Sequence, residues 1–97
     1  TGNVTAFSDI KLKENVELIS GALDKVEELR GVTYNRVDLK GKPKHVGLIA
    51  QDVEVVVPEA VVEVDGTKSV AYGNLVGLLV EAVKELRAEV KSLRGDK

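Results

Sequence analysis

The 97-residue sequence predicts an α+β fold: short helices and β-hairpins, followed by a long C-terminal helix that forms a parallel coiled coil. Three observations support this prediction. Hydrophobic residues make up 43% of the chain and charged residues 31%, a balance that permits a core and differs from that of disordered chains. An Asp-Gly dipeptide separates two β-compatible runs. Valine and leucine also repeat every seven residues near the C-terminus.

Length and composition limit how the chain can be organised. There is room for one domain, or for a domain with an appendage. Only 3% of the residues are aromatic, and a domain this small buries only about 60–70% of the surface that its unfolded chain exposes. We therefore expect partner chains to contribute burial. Methionine is absent, even at position 1, and we expect this chain to be a fragment of a longer one.

The composition also argues against several functional classes. A net charge of −2 gives no positive field for a polyanion, so we expect no nucleic-acid partner. With no cysteine and one histidine, we expect neither thiol chemistry nor a metal site, and no cofactor-binding motif is apparent. No apolar run approaches the roughly 18 residues of a membrane span, so we expect no membrane partner.

Three short elements are predicted in the N-terminal third of the chain. Residues 1–7 are small, polar and β-compatible, and we expect them to end an extended element that lies upstream. Ser8 to Asn15 suits a short strand or an exposed connection. A helix is predicted to follow, with Ser20 as its cap and Gly31 as its stop signal. Its apolar positions recur at three-residue steps: Leu23, Val26 and Leu29.

Two β-hairpins are predicted in the middle of the chain. The first joins Val32–Val37 to His45–Ile49 through a turn-rich tip, whose lysines suit either solvation or an electrostatic contact with a partner strand. In the second, Asp65 and Gly66 supply the positive φ angles of a type I′ turn. The β-compatible runs on either side of that turn are Val61–Val64 and Thr67–Ala71.

The segment between the hairpins fits two interpretations. Three of its valines lie on one helical face, which favours a helix over residues 50–57, but β-branching favours a strand. Pro58 ends the element in either case.

The last third of the chain carries three consecutive heptads with valine at position a and leucine at position d. This pattern predicts a coiled-coil seam, in which Glu89 and Arg94 are placed to form an interchain ion pair. The seam residues are Val76, Leu79, Val83, Leu86, Val90 and Leu93. The chain therefore divides into residues 1–7, an α+β core of residues 8–72 and a helix of residues 73–97.

A second interpretation of the heptads is an amphipathic helix that packs on its own domain. We favour self-association, because the polar face of the helix would otherwise cover nothing. That face includes Glu81, Lys84, Glu85 and Lys91. The pattern leaves the oligomeric order open, since β-branched residues at a with leucine at d lean towards dimers.

Ser8 and Lys13 could form a catalytic pair. A neutral lysine can take the proton of a serine hydroxyl, the oxygen can then attack a carbonyl, and the resulting ammonium can protonate the leaving amine. The amine must be neutral for this, which burial or a nearby cation such as Lys11 would favour. Spacing alone favours inert residues, because serine and lysine five apart are common.

Four ordered blocks of sequence carry a more specific signal. They are Ser8-Asp9-Ile10-Lys11-Leu12-Lys13-Glu14-Asn15, Leu29-Arg30-Gly31-Val32-Thr33-Tyr34, Val46-Gly47-Leu48-Ile49-Ala50-Gln51-Asp52-Val53 with Pro58-Glu59, and Lys68-Ser69-Val70 with Tyr72. Together they resemble the C-terminal intramolecular chaperone domain of phage endosialidases, tail fibres and tailspikes, the S74 peptidase family. Arg36 and Gly73 depart from residues that are common in the family, where tryptophan and serine are often found.

The resemblance implies a homotrimer that guides the folding of an upstream triple β-helix in the same polypeptide and then releases itself by autoproteolysis. Ser8 matches the nucleophile, Lys13 the general base and Asp9 the residue after the cleavage junction, in a single-turnover serine endopeptidase that acts in cis. Residues 1–7 would then end the β-helical fibre segment. The resemblance also implies action in the host cytoplasm during phage assembly.

Two questions stay open at the level of sequence. The resemblance favours cleavage of the Ser8–Asp9 bond, whereas attack on the carbonyl of Phe7 would cut before Ser8. The alternative function is a trimerisation module in which Ser8 and Lys13 are inert. Within the first function, the basic tip at residues 39–44 is a candidate protrusion that embraces the upstream chains.

Overall fold

A computed structural model describes residues 5–95 of the chain and confirms the predicted α+β class. Two antiparallel two-stranded sheets and two short helices precede one long helix. The helices are α1 (Ala22–Glu27), α2 (Ala50–Val56) and α3 (Val76–Arg94), and the strands are β1 (Val32–Asn35), β2 (Lys44–Gly47), β3 (Val61–Val64) and β4 (Thr67–Val70). Short 3-10 turns lie at Ile10–Leu12, Pro58–Ala60 and Tyr72–Leu75. None of the helices in this part of the chain is long and apolar enough to cross a membrane.

The second hairpin, formed by β3 and β4, has the turn that its sequence predicts. Asp65 and Gly66 have φ angles of 51° and 77°, so both central residues are left-handed as a type I′ turn requires. Val64 pairs with Thr67 directly beside the turn. At the open end, the amide of Ala71 donates a hydrogen bond of 2.7 Å to the carbonyl of Ala60, which extends the connection towards the core.

The first hairpin, formed by β1 and β2, is shorter than predicted and ends in a longer tip. The pairing runs from Val32 with Gly47 to Asn35 with Lys44. Beyond it, the amide of Arg36 donates to the carbonyl of Pro43 at 2.9 Å. The Arg36 guanidinium also holds the carboxylate of Asp38 through a hydrogen bond of 2.7 Å from Nε, and this contact lowers the pKa of Asp38.

The segment between the hairpins, which the sequence left undecided, is the helix α2. Its central residue Val53 is completely buried, so tertiary packing overrides the β preference of the neighbouring valines. Pro58 opens the following 3-10 turn, in agreement with its predicted role at the end of the helix. On the exposed side of α2, Asp52 accepts a hydrogen bond of 2.8 Å from Arg30, which ties the helix to the end of the α1 region.

A small aliphatic core lies where α1, α2, the Pro58–Ala60 turn and the first half of α3 meet. Its buried members are Ala22, Val53, Ala60, Leu75, Leu78 and Ala82. Alanines at three of these positions let the helices approach closely, and Val53 is the largest side chain that is wholly buried. The core is thus small and aliphatic, in a chain of which only 3% is aromatic.

Helix α3 has two different apolar faces. Leu78 and Ala82 point into the core, whereas the six predicted seam residues are between 40% and 88% exposed. The helix ends at Gly95, whose φ of 78° and amide bonds to the carbonyls of Lys91 and Ser92 form a left-handed C-cap. The single chain thus buries one face of α3 and leaves the heptad face uncovered.

The start of α1 differs from its prediction. Gly21, with a φ of 64°, occupies the N-cap position in place of Ser20, and it has no side chain with which to cap. The carboxylate of Glu85 on α3 takes that role, accepting hydrogen bonds from the amides of Ala22 and Leu23. Glu85 was counted in a polar face that would cover nothing without self-association, but it contacts α1 of the same chain. The pattern of one helix does not show where another helix begins.

A close contact between β2 and the Tyr72–Leu75 turn fixes the first hairpin beside α3. The hydroxyl of Tyr72 accepts a hydrogen bond of 3.1 Å from the amide of Leu48. A Cβ added to Gly47 would lie 2.6 Å from that hydroxyl, so a larger residue would force the Tyr72 side chain to move. The absence of a side chain at Gly47 therefore permits this contact.

Candidate functional site

The predicted catalytic pair lies in a segment that is exposed along its whole described length. Residues 5–20 are all exposed, and one 3-10 turn at Ile10–Leu12 is their only helical element. Near the end of the segment, the Cδ1 atom of Ile19 lies 3.8 Å from the position that a Cβ on Gly77 of α3 would occupy. Ser8 and Lys13 are therefore accessible to solvent in the single chain.

Asp9 sets the local geometry between these two residues. Its backbone is extended, and its carboxylate accepts a hydrogen bond of 3.0 Å from the amide of Lys11, as expected of an aspartate at an N-cap. The carbonyls of Asp9 and Ile10 then accept bonds of 3.0 and 3.1 Å from the amides of Leu12 and Lys13. This turn changes the direction of the chain between Ser8 and Lys13.

The turn brings the side chains of Ser8 and Lys13 together. The Nζ atom of Lys13 donates a hydrogen bond of 2.8 Å to the Oγ atom of Ser8. This distance is within the range expected between a nucleophile and its general base. The spacing of five residues, which is uninformative by itself, therefore places a possible base directly on a possible nucleophile.

The surroundings of the pair limit what it can do in one chain. A lysine amine acts as a base only when neutral, and removal from water favours that form. No cover of this kind is present around residues 5–20, because their apolar side chains also face solvent. Phe7, adjacent to Ser8, is 95% exposed, and Ile10 and Leu12 are also exposed. The pair is thus correctly spaced for proton transfer but is not enclosed.

The other predicted site residues lie apart from this pair in the chain. The predicted seam occupies the outer face of α3, and its role in association stays a prediction. His45 stacks on Tyr34 with ring centroids 5.9 Å apart. Within residues 5–95, no three histidine, cysteine or acidic side chains are grouped as metal ligands would be.

A groove between the two hairpins is a further concave feature of the molecule. Residues of β1, β4 and the start of α2 line it, among them Tyr34, Gln51 and Ser69. Neither Ser8 nor Lys13 contributes to it. The candidate chemistry therefore lies on the exposed segment and not in this groove.

The sequence did not reveal that Glu85 helps to hold the helix next to the site. Glu85 holds α1, the helix that follows the segment of Ser8 and Lys13. No local signal could have shown this, since Glu85 is more than 60 residues away from its partners in sequence.

Comparison with known proteins adds evidence that is independent of this geometry. A family model described as chaperone of endosialidase, Peptidase S74, matches residues 8–62. The long tail fiber protein Gp37 of Enterobacteria phage K3 is 43% identical over 99 residues, which cover 94% of this chain and 8% of the relative. Its counterpart in phage M1 is 43% identical over 96 residues, covering 90% of this chain and 38% of the relative.

A more distant relative is the Gp37 protein of Escherichia phage AR1, which is 32% identical over 92 residues, covering 86% of this chain and 8% of the relative. The chain thus spans less than two-fifths of the length of each of these tail-fibre proteins. The family match begins at Ser8, the residue whose hydroxyl contacts Lys13.

Proposed function

Because the chain belongs to the Peptidase S74 family, the chaperones of endosialidase, we propose that it is a self-releasing trimeric chaperone of a phage tail fibre. It would assist the folding of an upstream β-helical segment of its own polypeptide and then cleave itself at Ser8. The observation that carries this proposal is the hydrogen bond of 2.8 Å from Lys13 to Ser8 at the start of the family match.

The proposed reaction begins with proton transfer from the Ser8 hydroxyl to the neutral amine of Lys13. The Ser8 oxygen then attacks the carbonyl of a peptide bond that flanks it, and the new ammonium of Lys13 returns the proton to the leaving amine. Water hydrolyses the resulting ester and restores the serine hydroxyl. Ser8 is the nucleophile, Lys13 the general base and Asp9 the residue that shapes the turn between them.

Activation of Lys13 would require the exposed segment to be covered. The apolar side chains around the pair, Phe7, Ile10 and Leu12, offer a surface that a folded client or a neighbouring chain can bury. Such burial would remove water from the amine of Lys13, which favours its neutral form. It would also align Ser8 with its target carbonyl, and alignment of this kind can greatly lower the barrier of an intramolecular reaction. Folding of the client would thereby permit release.

The outer face of α3 supports the proposed trimer. Its valine and leucine side chains repeat over three heptads and are exposed in the single chain, while the opposite face is already occupied by the core. Three such helices in parallel would hold three upstream chains in register and raise their local concentration. In this assembly Glu89 and Arg94 would form the interchain ion pair.

The basic tip of the first hairpin would act as a protrusion that contacts the upstream chains. It carries three lysines at its surface, and two of its residues, Gly41 and Lys42, have left-handed backbone angles. The domain would assist folding in the host cytoplasm during phage assembly, before it leaves the tail-fibre precursor.

Autoproteolysis is tested in a precursor that carries the native upstream segment. We expect Ser8→Ala and Lys13→Ala each to abolish release of the C-terminal fragment, while trimer assembly persists. Glu17→Ala is the control, because this exposed residue lies in the same segment but outside the turn of Ser8 and Lys13. Intact-mass analysis of the wild-type products would also show which bond beside Ser8 breaks.

The opposite result would favour the alternative function. If Ser8→Ala releases the fragment at the wild-type rate, the serine and lysine are not the catalytic pair. If wild-type precursor remains whole although its β-helix is complete, the chain is a non-catalytic trimerisation module.

The trimer is tested by placing charge on the predicted seam. We expect Leu79→Asp with Leu86→Asp to prevent trimer formation in analytical ultracentrifugation. Ala88→Asp adds one such negative charge to an exposed position of α3 outside the seam and should leave the trimer intact. A seam variant that stays trimeric would exclude α3 as the association surface.

A further inference from the structure

Helix α1 begins without a cap from its own segment. It has six residues, and its N-cap residue Gly21 has a left-handed backbone and no side chain. The first amides of any helix lack partners within the helix and need an acceptor from elsewhere. A helix this short is also marginal in isolation, so its formation depends on tertiary contacts.

Glu85 supplies those acceptors from the middle of α3. Its Oε2 atom accepts a hydrogen bond of 2.9 Å from the amide of Ala22, and its Oε1 atom accepts one of 2.9 Å from the amide of Leu23. A carboxylate at this position also interacts favourably with the positive end of the helix dipole. One side chain therefore satisfies two donors that are more than 60 residues away in sequence.

A second approach to α3 lies just before Gly21. Ile19 lies against Gly77, with its Cδ1 atom 3.8 Å from the position of a Cβ on that glycine. Ala22 is completely buried in the core that Leu78 and Ala82 of α3 also form. Residues on both sides of Gly21 thus lie against α3, although residues 5–20, Ile19 included, are exposed.

We propose that Glu85 is a positioning residue that couples the segment of Ser8 and Lys13 to the assembly helix α3. Helix α1 forms, and anchors this segment, only after α3 has folded at least as far as Glu85. The segment of Ser8 and Lys13 is therefore anchored only once α3, which carries the predicted association surface, has folded. The proposal concerns the same site as the proposed autoproteolysis and rests on it for its effect on cleavage, but the coupling itself can be measured separately.

Hydrogen exchange and cleavage in the full precursor test this coupling together. In Glu85→Ala we expect the amides of Ala22 and Leu23 to lose protection by about tenfold or more and the release of the fragment to slow, with α3 still helical. Glu85→Gln keeps one acceptor oxygen and should give an intermediate loss. Glu81→Gln is the matched control, since Glu81 lies one turn earlier on α3 and pairs with Lys84 at 3.3 Å.

The outcomes separate this proposal from the proposed function. Unchanged protection of the α1 amides in Glu85→Ala would overturn the coupling, and so would global unfolding of the milder Glu85→Gln variant, which would make Glu85 a general stabiliser. Lost protection with unchanged cleavage would overturn its positioning role. If wild-type precursor behaves like Ser8→Ala, the proposed function fails, and the exchange result still decides whether Glu85 couples α1 to α3.

Discussion

The N-terminal segment of residues 5–20 and the core at the junction of the three helices use their apolar side chains in opposite ways. In the core, six aliphatic residues are buried by the chain itself. In the segment, the large apolar residues stay in solvent: Phe7, Ile10, Leu12, Val16 and Leu18. The core is therefore covered by the chain's own elements, whereas the apolar surface of the segment has no cover within residues 5–95.

The largest expected effect concerns the core. Leu78 is 2% exposed, and Leu78→Ala should lower the free energy of unfolding by about 2–5 kcal/mol, since the deletion removes buried methyl groups and leaves a cavity. Urea denaturation followed by circular dichroism measures this loss. A loss below about 1 kcal/mol would mean that the inner face of α3 is not the main source of stability, and the contrast with the segment would disappear.

An intermediate effect on thermal stability is expected at Glu85, which caps the start of α1 where the segment ends. This effect depends on pH. The hydrogen bonds from Leu23 and Ala22 lower the pKa of Glu85 in the folded chain. A carboxyl group of this kind stabilises the fold above its unfolded pKa of about 4.3, and the contribution is lost as the pH falls through the lower folded value. Below about pH 4.3, the Tm of wild-type protein should therefore fall more steeply than that of Glu85→Gln.

Thermal melts between about pH 3 and pH 7 check this expectation. Asp38, whose pKa is also lowered by its contact with Arg36, is present in both proteins and cancels in the comparison. Parallel curves of Tm against pH for wild type and Glu85→Gln would show that the Glu85 carboxylate does not contribute to the stability of the fold.

The smallest effect is expected in the segment. Leu18 is 82% exposed, and Leu18→Ala should change the free energy of unfolding of the isolated chain by no more than about 0.5 kcal/mol. The same urea titration as for Leu78→Ala measures it, with the same number of methyl groups removed. A loss similar to that of Leu78→Ala would show that Leu18 is buried in the protein that is titrated, and the contrast between segment and core would then be wrong.

Predictions from the sequence were correct where the structure depends on residues that are close together in the chain. The Asp65-Gly66 turn was correctly predicted because the left-handed angles it needs are a local property of those residue types. The long C-terminal helix was also correctly predicted from its periodicity. The helix at residues 50–57 was undecided, because the burial of Val53 comes from other elements and outweighs the local preference of valine.

The candidate site shows the same division. The types and order of Ser8 and Lys13 could be read from the sequence, and the family resemblance gave them roles. Their contact depends on the turn that Asp9 caps, and that turn was expected only as a strand or a connection. The Glu85 cap was out of reach, since it joins two helices whose relative placement no local pattern encodes.

The contact at Gly47 also gives the protein a built-in optical probe. The chain has two tyrosines and no tryptophan, so tyrosine dominates its near-ultraviolet absorption and its intrinsic fluorescence. Both tyrosine hydroxyls converge on Gly47, the position where the first hairpin meets the turn before α3. Emission from the unlabelled chain therefore comes from the first hairpin and from the turn that it contacts, and can follow the folding of this region while the helices are monitored by circular dichroism.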